Sequence, residues 1–225
     1  MLLSIFSAKA QTKDFKHFEV GLSALFWSPS SLHLKSSSNS TRIQPPVGDA
    51  YSVGSMSGYG SGVAPMLSAK YYFNENIGIA FSFQMLHLLN ELTVNTTDTS
   101  FEEYNNEAII PYFNLGLTGR YNISNSIKPF YEVGVTFSPG YDFEIRYHTN
   151  INNPQDFNAD GVAIGLYIAS GINIKLSKSL YFNTAAYYSF IPTTLDYTQT
   201  SDVVSMTEET NIGGFGIQTG LIFNF

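Results

Sequence analysis

Cysteine is absent from the 225-residue chain, so disulfides, thiolate metal sites and cysteine nucleophiles are excluded together. Charge is scarce: Asp, Glu, Lys and Arg make up 13% of the residues, about half the share usual in a soluble domain. Positive charge is the scarcer sign, with 11 Lys and Arg against 18 Asp and Glu, and the net charge is −7. With no basic stripe to face phosphates, nucleic acid is not an expected partner. No apolar run reaches the roughly 18 residues of a transmembrane helix, because Gly or a polar residue interrupts each one. Yet aromatic residues reach 15%, and so little charge means that something other than water solvates much of the surface. In lipid only helices and closed barrels satisfy every backbone N–H and C=O, so the composition predicts a barrel.

What is present is alternation. Apolar and aromatic residues recur at every second position in segments at least as long as the roughly 9 to 11 residues of a tilted membrane strand. Eight segments are predicted: Lys16–Ser28, Gly60–Phe73, Ile77–Leu92, Ile109–Asn122, Lys128–His148, Gly161–Leu176, Leu180–Thr193 and Asn211–Phe225. The third loses its pattern near Leu88-Leu89, where a bulge is expected. The fifth keeps it longest, with Tyr131, Val133, Val135, Phe137, Tyr141, Phe143, Ile145 and Tyr147 on one face.

The connections alternate between short and long. Residues 74–76, 123–127 and 177–179 read as tight turns, and 29–59, 93–107, 149–160 and 194–210 as polar loops. Three turns and four loops require eight strands with both ends of the domain on the turn side, which in an outer-membrane barrel is the periplasm. At the N-terminus, residues 1–10 read as a signal peptide that ends in Ala8-Lys9-Ala10, leaving a single barrel domain over 11–225.

A soluble ligand-carrying barrel of the lipocalin kind also alternates, but turns its apolar face inward. Here the second face is mostly Gly, Ala, Ser, Thr, Asn and Gln, which suits a narrow lumen better than a solvated exterior. Phe26, Tyr71, Phe73, Tyr112, Tyr121, Tyr131, Tyr147, Tyr188, Phe190, Phe223 and Phe225 fall near the band's edges, as aromatic girdles do.

The ending Phe215-x-Ile217-x-Thr219-x-Leu221-x-Phe223-x-Phe225 resembles the C-terminal β-signal of bacterial outer-membrane proteins. Over residues 16–225 the alternating pattern is similar to that of the small OmpA/OmpX-type barrels and of the outer-membrane β-barrel domains common in Bacteroidetes. The resemblance implies a Gram-negative outer membrane, with membrane lipids as partners and the barrel-assembly machinery as a partner during insertion.

Five charged residues, Glu19, Lys70, Arg120, Glu132 and Lys175, share the inward register near the turn-side strand ends. They are expected to form one lumenal ion-pair network, because unpaired charge there would cost several kcal/mol. Asp156, Asn158 and Asp160, followed by Gly161, match the first half of an EF-hand loop. The twelfth position is Tyr167 instead of Glu, so a polar loop competes with a Ca²⁺ site. The histidines, His17, His33, His87 and His148, carry no hydrolase signature. No cofactor is expected, and the predicted function is non-catalytic: a closed-lumen structural or accessory barrel, with protein partners meeting its loops, 29–59 above all, or its lipid face. A lipid-modifying enzyme and a narrow solute channel are the alternatives.

Overall fold

A computed structural model of the chain describes residues 17–29, 62–97, 100–124, 126–149, 155–199 and 205–225. Within them lie ten strands: β1 (Phe18–Pro29), β2 (Gly62–Tyr72), β3 (Ile77–Thr97), β4 (Ser100–Arg120), β5 (Ile127–Thr149), β6 (Gln155–Lys175), β7 (Leu180–Phe190), β8 (Pro192–Gln199), β9 (Ser205–Asn211) and β10 (Gly214–Asn224). Eight of them, β1 to β7 and β10, close an antiparallel barrel, with β10 returning to β1 through Glu19↔Asn224 to Pro29↔Gly214. Closure removes the open edge that lipid would leave unsatisfied. β8 and β9 pair as a hairpin that prolongs β7 and β10 beyond Ile191 and Ile212.

Phe18 and Phe225 meet at one end of the barrel, where the Phe225 N–H donates to the Phe18 carbonyl at 2.8 Å. This is also the end of the short turns. In the β2–β3 turn the Asn74 side chain accepts from the N–H groups of Asn76 and Ile77, both at 2.9 Å. Ser124 Oγ does the same for Ser126 and Ile127 in the β4–β5 turn. Short polar side chains that bond to the backbone a few residues on are what such turns need.

Around the lower wall the alternating apolar residues face outward: Leu22, Leu67, Leu117 and Ile164 are each more than half exposed, whereas Ser68, Ser82, Asn114 and Thr136 on the alternate positions are buried. Tyr71, Phe73, Tyr121, Tyr131 and Phe225 form an outward aromatic girdle at the short-turn end, with Tyr71 and Phe73 edge to face at 5.8 Å. Phe215, Ile217, Leu221, Phe223 and Phe225 all lie on this outer face.

Several expectations need correction. β3, β4, β5 and β6 run to 21, 21, 23 and 21 residues, about twice what crosses hydrocarbon. Much of the segments predicted as loops 93–107, 149–160 and 194–210 is therefore paired strand. No bulge lies at Leu88-Leu89, because the β3–β4 register is continuous from Ile77↔Gly119 to Asn95↔Phe101. The bulge is in β5 instead. Against both neighbours the register of β5 slips around Pro139 and Gly140, and Pro, which has no N–H to give a ladder, suits that unpaired position. One extra residue reverses every side chain beyond it. Tyr141 and Phe143 are consequently buried inside the barrel, while Asp142 is exposed outside. A Cβ on Gly161 would lie 2.4 Å from the Tyr141 hydroxyl, so glycine is what lets that ring settle against β6. Tyr112, expected in the girdle, is fully buried. The signal segment, residues 30–61 and His33 lie outside the described residues.

Candidate functional site

The lumen is built in three layers. The lowest, near the short turns, is ionic. Arg120 reaches from β4 to Glu19 on β1, and Lys70 from β2 to Glu132 on β5; all four side chains are buried. Glu19 also accepts from Asn224 Nδ2 at 3.1 Å and from the Tyr72 hydroxyl at 3.3 Å. Arg120 stacks 3.7 Å from the Tyr72 ring centre and donates through Nε to the Glu75 carbonyl at 2.9 Å. Lys70 Nζ lies 4.2 Å from the centre of the Phe130 ring. Every carboxylate in this layer has a cation, as low-dielectric surroundings demand.

The middle layer is made of amides, hydroxyls and aromatic rings. Gln84 on β3 donates to the Tyr187 hydroxyl on β7 at 3.3 Å, and that hydroxyl donates to Asn114 Oδ1 on β4, also at 3.3 Å. Asn114 Nδ2 continues to Ser82 Oγ at 2.9 Å. On the other side of the layer Gln218 donates to Ser23 and Asn183, and Asn183 donates to Asn173 at 2.7 Å. Trp27, the chain's one tryptophan, packs on Tyr187 and Tyr112 with ring centres 5.9 and 6.3 Å apart, and Tyr187 stacks on Tyr167 at 5.9 Å. The Tyr112 hydroxyl crosses to the Ile212 carbonyl at 2.6 Å. β3 and β7 stand on opposite sides of the eight-strand ring, so these contacts brace wall against wall.

The upper layer is apolar. Leu25, Ala64, Leu86, Ala108, Ile110, Phe143, Ala159, Ile191, Leu195 and Ile212 form one buried cluster with the rings of Trp27, Tyr112 and Tyr141. Outside the wall at this height the residues are Asp142, Glu144, Asn158 and Asp160, together with His87, whose Nε2 lies 2.7 Å from Glu107 Oε1. Asp142, Glu144, Asn158 and Asp160 line an outer cleft of about 660 Å³ beside Met85, Ile109 and Pro111.

Of the five charged residues predicted for one network, the structure pairs Glu19 with Arg120 and Lys70 with Glu132. Lys175 has the inward register of Asn173 but ends its strand, which leaves it exposed at the rim. Asp156, Asn158 and Asp160 do not lie in a loop. β6 runs through them, opposite Arg146, Glu144 and Asp142, and Asn158 and Asp160 are exposed. An extended strand spaces its carboxylates along a line and does not wrap them round one ion. Among the described residues no group of three or more His, Asp and Glu is gathered to hold a metal. His17 sits at the short-turn end with Nδ1 2.9 Å from the Tyr72 carbonyl, and the side chain of His148 lies outside the described residues. Leu25, Leu86 and Ile110, in the core of the upper layer, escaped the sequence expectation, and Tyr112 beside them was expected in the outer girdle. Their signal was present as apolar residues appearing on the inner face toward the long-loop end.

The family model described as the outer membrane protein beta-barrel domain matches residues 1–223. Among solved structures the chain is similar to the outer membrane protein OprG from Pseudomonas aeruginosa, with a TM-score of 0.60 at 15% identity, covering 93% of this chain and 96% of that one. It is also similar to a major outer membrane protein from Thermus thermophilus, with a TM-score of 0.50 at 9% identity, covering 92% and 99%. At such identities the likeness speaks for the fold alone. No curated protein matches the chain.

Proposed function

The chain belongs to the outer membrane protein β-barrel domain family, and from that premise we propose that it is a non-conducting, non-catalytic barrel of the Gram-negative outer membrane, a structural or accessory subunit of an envelope complex. The short turns and both described ends face the periplasm, and the long ribbons stand outside, as in barrels of this kind. Protein partners meet the ribbons and long connections, or the lipid face. The aromatic-ended β10, with Phe215 to Phe225 turned outward, suits recognition by the barrel-assembly machinery during insertion.

The observation that carries the closed-lumen reading is the bracing of opposite walls, with Gln84 and Asn114 on Tyr187 and Arg120 on Glu19. An eight-stranded barrel has room inside for side chains and little else, and here those side chains bond to each other across it. Purified full-length protein in planar bilayers should give no unitary current steps. Reproducible single-channel conductance from folded protein would overturn the closed-lumen reading in favour of a channel.

A further inference from the structure

At the short-turn mouth the inner face of the barrel carries two lysines beyond those of the ionic layer. Lys128, near the start of β5, has the inward parity of Phe130 and Glu132, and Lys175, the last residue of β6, has that of Asn173. Lys128 stands opposite Asn173 in the register, so Lys175, at the next inward position of β6, is its diagonal neighbour. Tyr181 on β7 stands opposite Lys175, and the Lys128 ammonium reaches across β6 to lie 4.9 Å from the centre of that ring. Like charges on neighbouring strands of one face repel. No carboxylate side chain relieves them: at this end β5, β6, β7 and the short turns at their feet carry only Glu132, and Lys70 holds it. Glu19, on β1, is held by Arg120.

Neutral donors complete this corner. Asn173 is 2% exposed; its Oδ1 accepts from Asn183, and its Nδ2 has no partner among the described residues. The hydroxyl of the buried Tyr181 has none either. A buried donor without an acceptor is costly, so both groups point to a partner from outside the chain. Two ammonium groups, an amide N–H and a phenol can all donate at once, and what accepts from all of them is an oxyanion. The charge selects further. A phosphate monoester carries about −1.5 to −2 near neutral pH and matches both lysines, whereas a carboxylate leaves one unmatched. Acyl chains do not reach the lumen side of the wall, so the phosphate comes from solution and not from a phospholipid. We propose that Lys128, Lys175, Asn173 and Tyr181 form a binding site for a soluble phosphate dianion, free or as a monoester, at the short-turn mouth of the lumen. The anion goes no further, because the Lys70–Glu132 and Arg120–Glu19 pairs close the way above it. That this mouth opens to the periplasm rests on the orientation proposed above; the site does not.

The test titrates folded full-length protein, in neutral maltoside micelles at low ionic strength and slightly above neutral pH, with inorganic phosphate, and reads binding from phosphorus NMR line broadening. Binding should saturate. Lys128→Gln and Lys175→Gln should each weaken it about tenfold, the worth of one charged hydrogen bond, and Lys175→Arg should keep most of the affinity. Should Lys128→Gln fail to give the heat-modifiable band of a folded barrel, Lys175→Gln, at an exposed strand end, carries the test alone. Glycerol phosphate should compete with inorganic phosphate, and acetate at equal ionic strength should not. Wild-type protein that shows no saturable binding, or binding that survives the glutamine substitutions, would overturn the proposal. So would acetate competing as well as phosphate, which means a carboxylate site, or dihexanoyl phosphatidylglycerol competing better than glycerol phosphate, which means a lipid headgroup. Micelles have no sides, so failure here leaves the orientation untouched. Orientation is read separately, from Ser177→Cys and a membrane-impermeant maleimide on intact cells, where labelling would sink the periplasmic assignment and leave the phosphate site standing.

Discussion

At the short-turn end of the lumen, Glu19, Lys70, Arg120 and Glu132 are buried as two ion pairs; at the other end, Leu86, Ile110 and Phe143 are buried as an apolar cluster. The same wall encloses both, and what differs is the solvent outside it. Around the ionic end the exterior is Val133, Val135, Leu117 and their neighbours. Around the apolar end it is Asp142, Glu144, Asn158 and Asp160. A sheet has two faces, so a wall that must be greasy toward lipid gives its polar residues to the inside, and a wall that stands in water does the reverse. The bulge of β5 lies at the change between the two regimes.

Deleting Gly140 should disturb the two-regime wall most. Without the extra residue Asp142 and Glu144 would turn inward against Leu86 and Ile110, and Tyr141 and Phe143 would turn out to water. The folded, heat-modifiable band should be lost from gel electrophoresis after refolding, and a stable folded barrel would show that the bulge does not set the faces. Next in size is Lys70→Met, which leaves Glu132 buried without its cation and should cost about 3 to 5 kcal/mol in denaturant unfolding. Lys70→Met/Glu132→Leu sharpens that test, because removing both charges should restore most of the loss. Smaller again is Val135→Arg on the lipid face, expected to cost about 2 to 4 kcal/mol near mid-membrane. Asp142→Arg, a few residues along the same strand, should leave the unfolding curve unchanged. An equal loss from both would mean that the exterior does not change solvent at the bulge.

Two strands show why the lower half was legible and the upper half was not. In the membrane-crossing part of every strand, apolar residues at alternate positions mean lipid, so the barrel, its closure and the inward register of Glu19, Lys70, Arg120 and Glu132 follow from period two. Higher up, β3 keeps its register and passes from lipid to water. Apolar residues therefore move to the opposite parity, with Leu86 inside and His87 outside. In sequence that looks like a broken pattern and suggests a bulge that is not there. β5 changes solvent and also bulges. Its two inversions cancel, so Tyr131 to Phe143 read as one unbroken face although Tyr131 points out and Phe143 points in. Lys175 failed for a simpler reason: parity gives the side of the wall but not the height, and at a strand's last residue the inner side is already the mouth. The pairing of Glu19 with Arg120 rather than with Lys70 depends on which strands face each other across the ring, which no local pattern encodes.

The change of solvent along β3 to β6 also fixes how deep the molecule sits. Sinking toward a thinner bilayer's midplane would drag Asp142 and Asp160 into hydrocarbon, and rising would lift Val135 and Ile164 into water. A barrel apolar along its whole length can slide to match its membrane, but this one behaves like a float with a marked waterline. Where the surrounding bilayer is too thick or too thin, the lipids have to deform to meet it.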